Sequence, residues 1–208
     1  MIVIITTNEI NLNEHVPLKN IERLKSVGEL DLIIGNSIIL KDEIIHFKIK
    51  ESKIELLVGL NWIKNNYDIS LIIFFDYVIP INNDLLGNHI IIPKKIFSID
   101  DPPLEWNSNP LVKKIEINIT KNNTIRKAIH ETNYDFYYGD ILSIDKKFIN
   151  TSSIKELSDL NYFDGINYFI FSSNKFANEN KIDIYNICIA KTKYMLKLKF
   201  EKIFEKLF

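Results

Sequence analysis

Three short apolar runs constrain the fold of this chain more than any other feature. They span residues 2–5, 70–78 and 184–190 and are rich in β-branched or aromatic side chains. Runs of this length and composition are typical of strands that are buried on both faces of a sheet. Two of the runs end in polar residues, 6–9 and 191–193. Because open α/β sheets bind ligands where strands end, these polar residues are the first candidates for a site.

Composition narrows the class of protein further. The chain has 208 residues, 46% of them hydrophobic, which predicts one globular domain spanning residues 1–208. A net charge of −1 and a scarcity of arginine predict no nucleic-acid partner. The amino terminus has neither a basic segment nor a long apolar stretch, so we expect a cytoplasmic protein without a membrane partner. Cys188 stands alone and the four histidines are far apart, so no disulfide, metal or cofactor is expected.

Periodicity and turn residues predict the remaining elements. A helix is predicted at 17–27, because Leu18, Ile21 and Leu24 would share a face before Gly28. Short strands are predicted at 31–34, 37–40, 43–50 and 53–58, followed by a helix of about two turns at 60–68. Further strands are predicted at 87–93 and 113–120, and helices at 122–131, from 163–164 onward and at 194–208.

Two stretches carry a family resemblance. The first is GDILSIDKKFI, followed by FDGIN and the apolar run 184–190, and the second is SLIIFFDYVIPINNDLLGNHIIIPKKIF at 70–97. Together they resemble the superfamily of nucleoside phosphorylases and methylthioadenosine/S-adenosylhomocysteine nucleosidases. The resemblance implies an α/β fold, a three-layer α/β/α sandwich with a central mixed β-sheet. It also implies a homodimer and a small-molecule nucleoside as ligand.

The resemblance assigns roles to residues near both ends of the chain. In the nucleosidases a glutamate after the first strand positions the attacking water, and Glu9 and Glu14 are the acids nearest that position here. Ser143 and Asp145 match the Ser-x-Asp of the family, and Phe148 matches its base-stacking aromatic residue.

Other positions depart from the family pattern. Lys193, preceded by Thr192, aligns with the aspartate that protonates the base. Asp164 replaces the first acid of the sugar-binding motif and the second is lost, so Asn167 becomes a candidate to bind a sugar hydroxyl. Asp164 would alternatively cap a helix. Asp76 stands where the family has a glycine-rich turn; it could contact sugar hydroxyls, and it would repel phosphate.

Two functional hypotheses follow from the sequence. The first is a hydrolase of purine nucleosides or thionucleosides that uses Asp145, Asp164 or Lys193 near the base and Glu9 or Glu14 near the water. Hydrolysis is favoured over phosphorolysis, since arginines normally surround a bound phosphate. The second is a catalytically degenerate homologue that keeps the fold to bind a nucleoside or a partner.

Overall fold

The structure is a computed structural model. It describes residues 1–25, 30–50, 52–81, 90–99, 113–132, 134–145, 156, 163–191 and 200–207. Ten strands form one sheet: β1 (Ile2–Thr7), β2 (Leu18–Arg23), β3 (Asp31–Ser37), β4 (Glu43–Ile49), β5 (Leu71–Pro80), β6 (Ile90–Ser98), β7 (Lys113–Glu116), β8 (Phe136–Ser143), β9 (Gly165–Ile166) and β10 (Asp183–Ala190). The described helices are α1 (Lys53–Asn66), α2 (Ile119–His130), α3 (Ile170–Glu179) and α4 (Glu201–Leu207), with a 3-10 turn at Leu12–Glu14.

The sheet is mixed and closes on itself at one side. β1 lies between β4 and β5 and is parallel to both, while β10 is parallel to β5. From β10 the sheet continues through β6, β8 and β9, and β9 pairs again with β5. A Cβ on Gly165 would lie 2.3 Å from Val78 Cγ1, so only glycine allows β9 to approach β5 this closely.

Helices cover both faces of the sheet. Leu60 of α1 and Phe176 of α3 pack in the same buried cluster as Phe74 of β5. On the opposite face, Phe204 of α4 packs with Phe75, the next residue of β5, as strand alternation requires. The predicted three-layer α/β/α sandwich with a central mixed sheet is therefore confirmed.

The prediction of a helix at 17–27 is wrong. Residues 18–23 form β2, an edge strand that pairs with β3 through a register shift between Lys19 and Glu22. Its backbone is held by β3, while Ile21 is 49% exposed, so the three-residue apolar spacing reflects no buried helical face. The strand predicted at 37–40 is also wrong, because β3 ends at Ser37 and a turn follows.

The region predicted as a strand at 53–58 and a short helix at 60–68 is one helix, α1, of 14 residues. Ser52 accepts a hydrogen bond from the Glu55 backbone N–H and so caps the first turn. Leu56 and Leu60 lie on one buried face, which the helical period of 3.6 explains and a strand period does not. Among the described residues, no helix is long and apolar enough to cross a membrane.

The elements predicted from residue 70 onward agree more closely with the structure. The strands at 70–78 and 184–190 correspond to β5 and β10, and the helix at 122–131 corresponds to α2. The strand predicted at 113–120 is shorter, since β7 ends at Glu116 and α2 begins at Ile119. The helix predicted from 163–164 begins only at Ile170, because residues 165–166 first form β9. Of the helix predicted at 194–208, the described part contains α4.

Candidate functional site

The carboxyl ends of three neighbouring parallel strands meet at one edge of the sheet. β1 ends at Thr7, which contacts Asp76 of β5, and β10 ends at Ala190, which pairs with Val78 of β5. β5 itself continues to Pro80. Polar side chains therefore collect at this edge, as expected for a ligand site in an α/β sheet.

Asp76 is the centre of a buried polar cluster at this edge. Its side chain is 3% exposed. One carboxylate oxygen accepts a hydrogen bond from Thr7 Oγ1 at 2.5 Å, and the other accepts one from Asn167 Nδ2 at 2.7 Å. The cluster thus links the ends of β1 and β5 with the segment that enters α3.

Asn167 forms hydrogen bonds through both its amide nitrogen and its amide oxygen. Its Nδ2 also donates to the Tyr77 carbonyl oxygen at 2.8 Å. Its Oδ1 accepts hydrogen bonds from the backbone N–H groups of Phe169 and Ile170 at 2.8 and 2.9 Å. Asn167 therefore satisfies the first turn of α3 while it holds the end of β5.

The burial of Asp76 changes its proton affinity. Desolvation raises the pKa of this carboxyl to about 6, although the hydrogen bonds from Thr7 and Asn167 oppose the rise. The charge of Glu9 adds a smaller upward effect on the pKa. With a pKa of about 6, the Asp76 carboxyl becomes protonated as the pH falls to mildly acidic values.

Glu9 and Lys191 lie at the exposed rim of the same edge. The Lys191 Nζ atom is 2.5 Å from Glu9 Oε2, and the two side chains are 44% and 52% exposed. Burial is the main reason that the pKa values of Tyr77 and Tyr168 are raised, and the Glu9 charge contributes to both. Glu9 therefore acts electrostatically on both tyrosines and on the buried cluster.

The other predicted acids are engaged in internal contacts. The two carboxylate oxygens of Asp164 accept hydrogen bonds from Tyr137 Oη at 2.9 Å and from the Asp140 backbone N–H at 2.8 Å. Asp164 does not cap α3, since the backbone N–H groups of Phe169 and Ile170 at the start of this helix donate to Asn167 Oδ1. Asp145 forms an ion pair with Lys53 at 3.2 Å.

Ser143 is fully buried and donates to the Tyr168 carbonyl oxygen at 3.2 Å. It lies next to Asn167, whose backbone N–H donates to the Leu142 carbonyl oxygen at 3.0 Å. The structure thus brings Ser143, Asn167 and Asp76 together, with Glu9 at the rim above them. Phe148, Thr192 and Lys193 lie outside the described residues.

Phe75 directly precedes Asp76 in β5, and its side chain lies on the opposite face of the sheet. Its ring is fully buried on the α4 face, where it contacts His15, Phe200 and Phe204 edge-on at centroid distances of 5.2 to 5.5 Å. Ile166 is also fully buried. Both side chains therefore serve the core.

Sequence reasoning did not single out Tyr168 or the pairing of Lys191 with Glu9. Thr7 and Lys191 were among the polar residues after the apolar runs, and that position was the available signal. The partnership between Glu9 and Lys191 spans 182 positions and needs the strand order to be known.

Comparison with known proteins identifies the fold. No protein-family model and no curated protein matches the chain. Among solved structures, the 5'-methylthioadenosine/S-adenosyl homocysteine nucleosidase of Campylobacter jejuni is similar with a TM-score of 0.74 at 12% identity, covering 99% of this chain and 92% of that one. Futalosine hydrolase of Helicobacter pylori is similar with a TM-score of 0.71 at 15% identity, covering 99% and 92%.

Purine nucleoside phosphorylase of Toxoplasma gondii, in complex with immucillin-H, is similar with a TM-score of 0.72 at 11% identity, covering 100% of this chain and 87% of that one. The chain therefore has the fold shared by these nucleosidases and phosphorylases. The resemblance predicted from the sequence is therefore confirmed at the level of the fold.

Proposed function

We propose that this chain binds a purine nucleoside or thionucleoside at the carboxyl edge of β1, β5 and β10 and hydrolyses its N-glycosidic bond. One observation supports this most. The exposed carboxylate of Glu9, paired with Lys191, lies at the rim of the edge that holds the buried Asp76 cluster, within a fold shared with nucleosidases.

The proposed reaction requires three events. A water oxygen bonds to the anomeric carbon of the sugar, the bond from that carbon to the purine nitrogen breaks, and its electron pair passes to the purine. Glu9 takes a proton from the water as general base, and Lys193, which aligns with the proton-donating aspartate of the family, is proposed to donate a proton to the purine. Lys191 orients the Glu9 carboxylate.

Water rather than phosphate is the proposed nucleophile. The chain has two arginines, and both lie elsewhere: Arg23 contacts Asp31 on the edge hairpin, and Arg126 is exposed on α2. Sites that bind a phosphate group usually contain guanidinium groups. The acidic Asp76 below the edge would further disfavour a dianion.

A second candidate function is nucleoside binding without turnover. It is favoured by Asp164, the residue that replaces the first sugar-binding acid of the family, because Tyr137 and Asp140 already occupy its two oxygens. A sugar hydroxyl would have to share an oxygen with one of these donors, which weakens its hold on the sugar. In this case the fold and the site would be kept and the chemistry lost.

Base release distinguishes the two candidates. The chain would be incubated with methylthioadenosine, S-adenosylhomocysteine, inosine and adenosine, with and without phosphate, and the free base would be quantified. We expect base release that is independent of phosphate and that falls about 100-fold in Glu9→Gln. Glu14→Gln is the matched control, since Glu14 lies on the same segment and accepts a hydrogen bond from Asn11.

Two other outcomes of this experiment would refute one or both candidates. A thermal shift with a nucleoside, but no free base, would support binding without turnover and refute hydrolysis. If none of the four compounds causes a thermal shift or releases free base, both candidates are refuted.

A further inference from the structure

A pocket lies beside the candidate site, beneath the segment that follows β1. Its volume is about 310 Å³, and it is lined by residues 8–13 together with Asp31, Ile33, His46 and Lys48. Small-molecule pockets in proteins begin at about 300 Å³, so this one suits a small ligand. Of its lining residues, only Glu9, the proposed general base, has a part in the proposed hydrolysis.

The pocket offers one carboxylate and one ammonium group. Asp31 and Lys48 are directly opposite each other on β3 and β4, but no ion pair joins them within the described part of the chain. Asp31 contacts only the exposed Arg23 as an ion-pair partner there, at 3.5 Å. Lys48 has no ion pair or side-chain hydrogen bond to any described residue. Cross-strand partners of this kind have Cβ atoms about 5 Å apart.

The other two titratable groups that line the pocket, Glu9 and His46, already contact other side chains. Glu9 is already paired with Lys191. His46 is 7% exposed, and its Nε2 lies 2.8 Å from Thr6 Oγ1. Burial lowers the pKa of His46 to about 4, with Asp31 opposing the change and Lys48 adding to it, so the ring is neutral at pH 7.

We propose that this pocket binds the zwitterionic group of an α-amino acid. Lys48 would bind the carboxylate of the ligand and Asp31 its ammonium group, and the amides of Asn8 and Asn13 would hydrogen-bond the same groups. A phosphate would meet the negative charges of Asp31 and Glu9. Only a ligand with both charges close together complements Lys48, which has no ion-pair partner among the described residues, and Asp31, whose partner Arg23 is exposed and 3.5 Å away. This assignment does not depend on the proposed hydrolysis.

Calorimetric titration with three matched probes tests the assignment. The probes are L-methionine, 3-(methylthio)propylamine, which lacks the carboxylate, and 4-(methylthio)butanoate, which lacks the amine. Since a hydrogen bond to a charged group contributes about 1.5 to 3 kcal/mol, losing either charge should weaken binding at least about tenfold. Equal binding of all three probes would overturn the proposal.

Variants locate the binding. Lys48→Gln and Asp31→Asn should each weaken methionine binding about tenfold or more. Lys19→Gln, an exposed lysine on the adjoining strand β2, should leave it unchanged. If Lys48→Gln and Lys19→Gln behaved alike, methionine would be bound elsewhere and the proposal would fail.

A further arm separates a free amino acid from the amino-acid end of a larger ligand. If methionine does not bind, Lys48→Gln should still weaken S-adenosylhomocysteine binding and leave methylthioadenosine binding unchanged. If Lys48→Gln binds both methionine and S-adenosylhomocysteine as tightly as the wild type does, the assignment is overturned. Base release from nucleosides is measured separately, so failure of the hydrolase proposal and failure of this one are distinguishable.

Discussion

Replacing Asp76 with asparagine should stabilise the protein at neutral pH. The amide oxygen can accept the hydrogen bond from Asn167, and the amide nitrogen can donate to Thr7, whose hydroxyl both donates and accepts. Asp76→Asn therefore reproduces the hydrogen bonds of the protonated carboxyl without its ionisation.

The magnitude follows from the raised pKa of Asp76. Burial raises this pKa from 3.8 to about 6, so the folded state holds the proton over a range in which the unfolded state has released it. The stabilisation from protonated Asp76 is complete below about pH 4 and is lost as the pH rises through about 6. A rise in pKa from 3.8 to about 6 corresponds to about 3 kcal/mol, which is the cost of the ionised group above that range.

Urea unfolding of both proteins across this pH range measures the effect. The free energy of unfolding of Asp76→Asn minus that of the wild type should be near zero at about pH 4 and should rise to about 3 kcal/mol at about pH 7.5. Asp68→Asn, at an exposed carboxyl, should follow the wild-type curve at all pH values. A flat difference curve, or a less stable Asp76→Asn protein at neutral pH, would refute the reasoning.

Three further substitutions test hydrogen bonds and packing inside the fold. Asn167→Ala removes two donated and two accepted hydrogen bonds, so urea unfolding should report a loss of about 3 kcal/mol; a loss below about 1 kcal/mol would contradict its linking role. Gly59→Ala places a Cβ 2.2 Å from Phe47 Cζ, so it should lower the melting temperature despite the higher helix propensity of alanine, and an unchanged value would show that the ring can move away. Asn174→Ala leaves the buried amide of Asn186 without its partner and should cost about 1 to 3 kcal/mol, with a double-mutant cycle that is clearly non-additive; additive losses would show that the two amides do not interact.

The sequence predicted the buried strands well, because their character depends on local composition. β5 and β10 read as continuous apolar runs, and the structure buries both. The family resemblance then supplied the layer order, which periodicity alone does not give.

Elements whose character depends on distant contacts were predicted poorly. β2 has the apolar spacing of a helix, but its backbone hydrogen bonds go to β3. The start of α1 was assigned to a strand for a different reason, since the signal there is local. Ser52 and Glu55 have the spacing of a helix-capping box, which outweighs the β-branched residues nearby.

The candidate site was predictable only in outline. The rule that ligands bind at strand ends pointed to Glu9, the family resemblance pointed to Asp76, and the structure places both at one edge. The sequence did not reveal that Asp164 would be held by Tyr137, or that Asn167 would join β5 to α3. These partners are brought together by the pairing of β9 with β5 and β8, which no local pattern encodes.

The central claim is that a nucleoside binds at the carboxyl edge of β1, β5 and β10. A crystal structure of the chain soaked with methylthioadenosine tests it most directly. We predict density for the nucleoside beside Glu9 and above Asn167, with the Glu9 to Lys191 pair within reach of the sugar. Ligand density at another surface, or an unchanged edge at saturating ligand, would contradict the account.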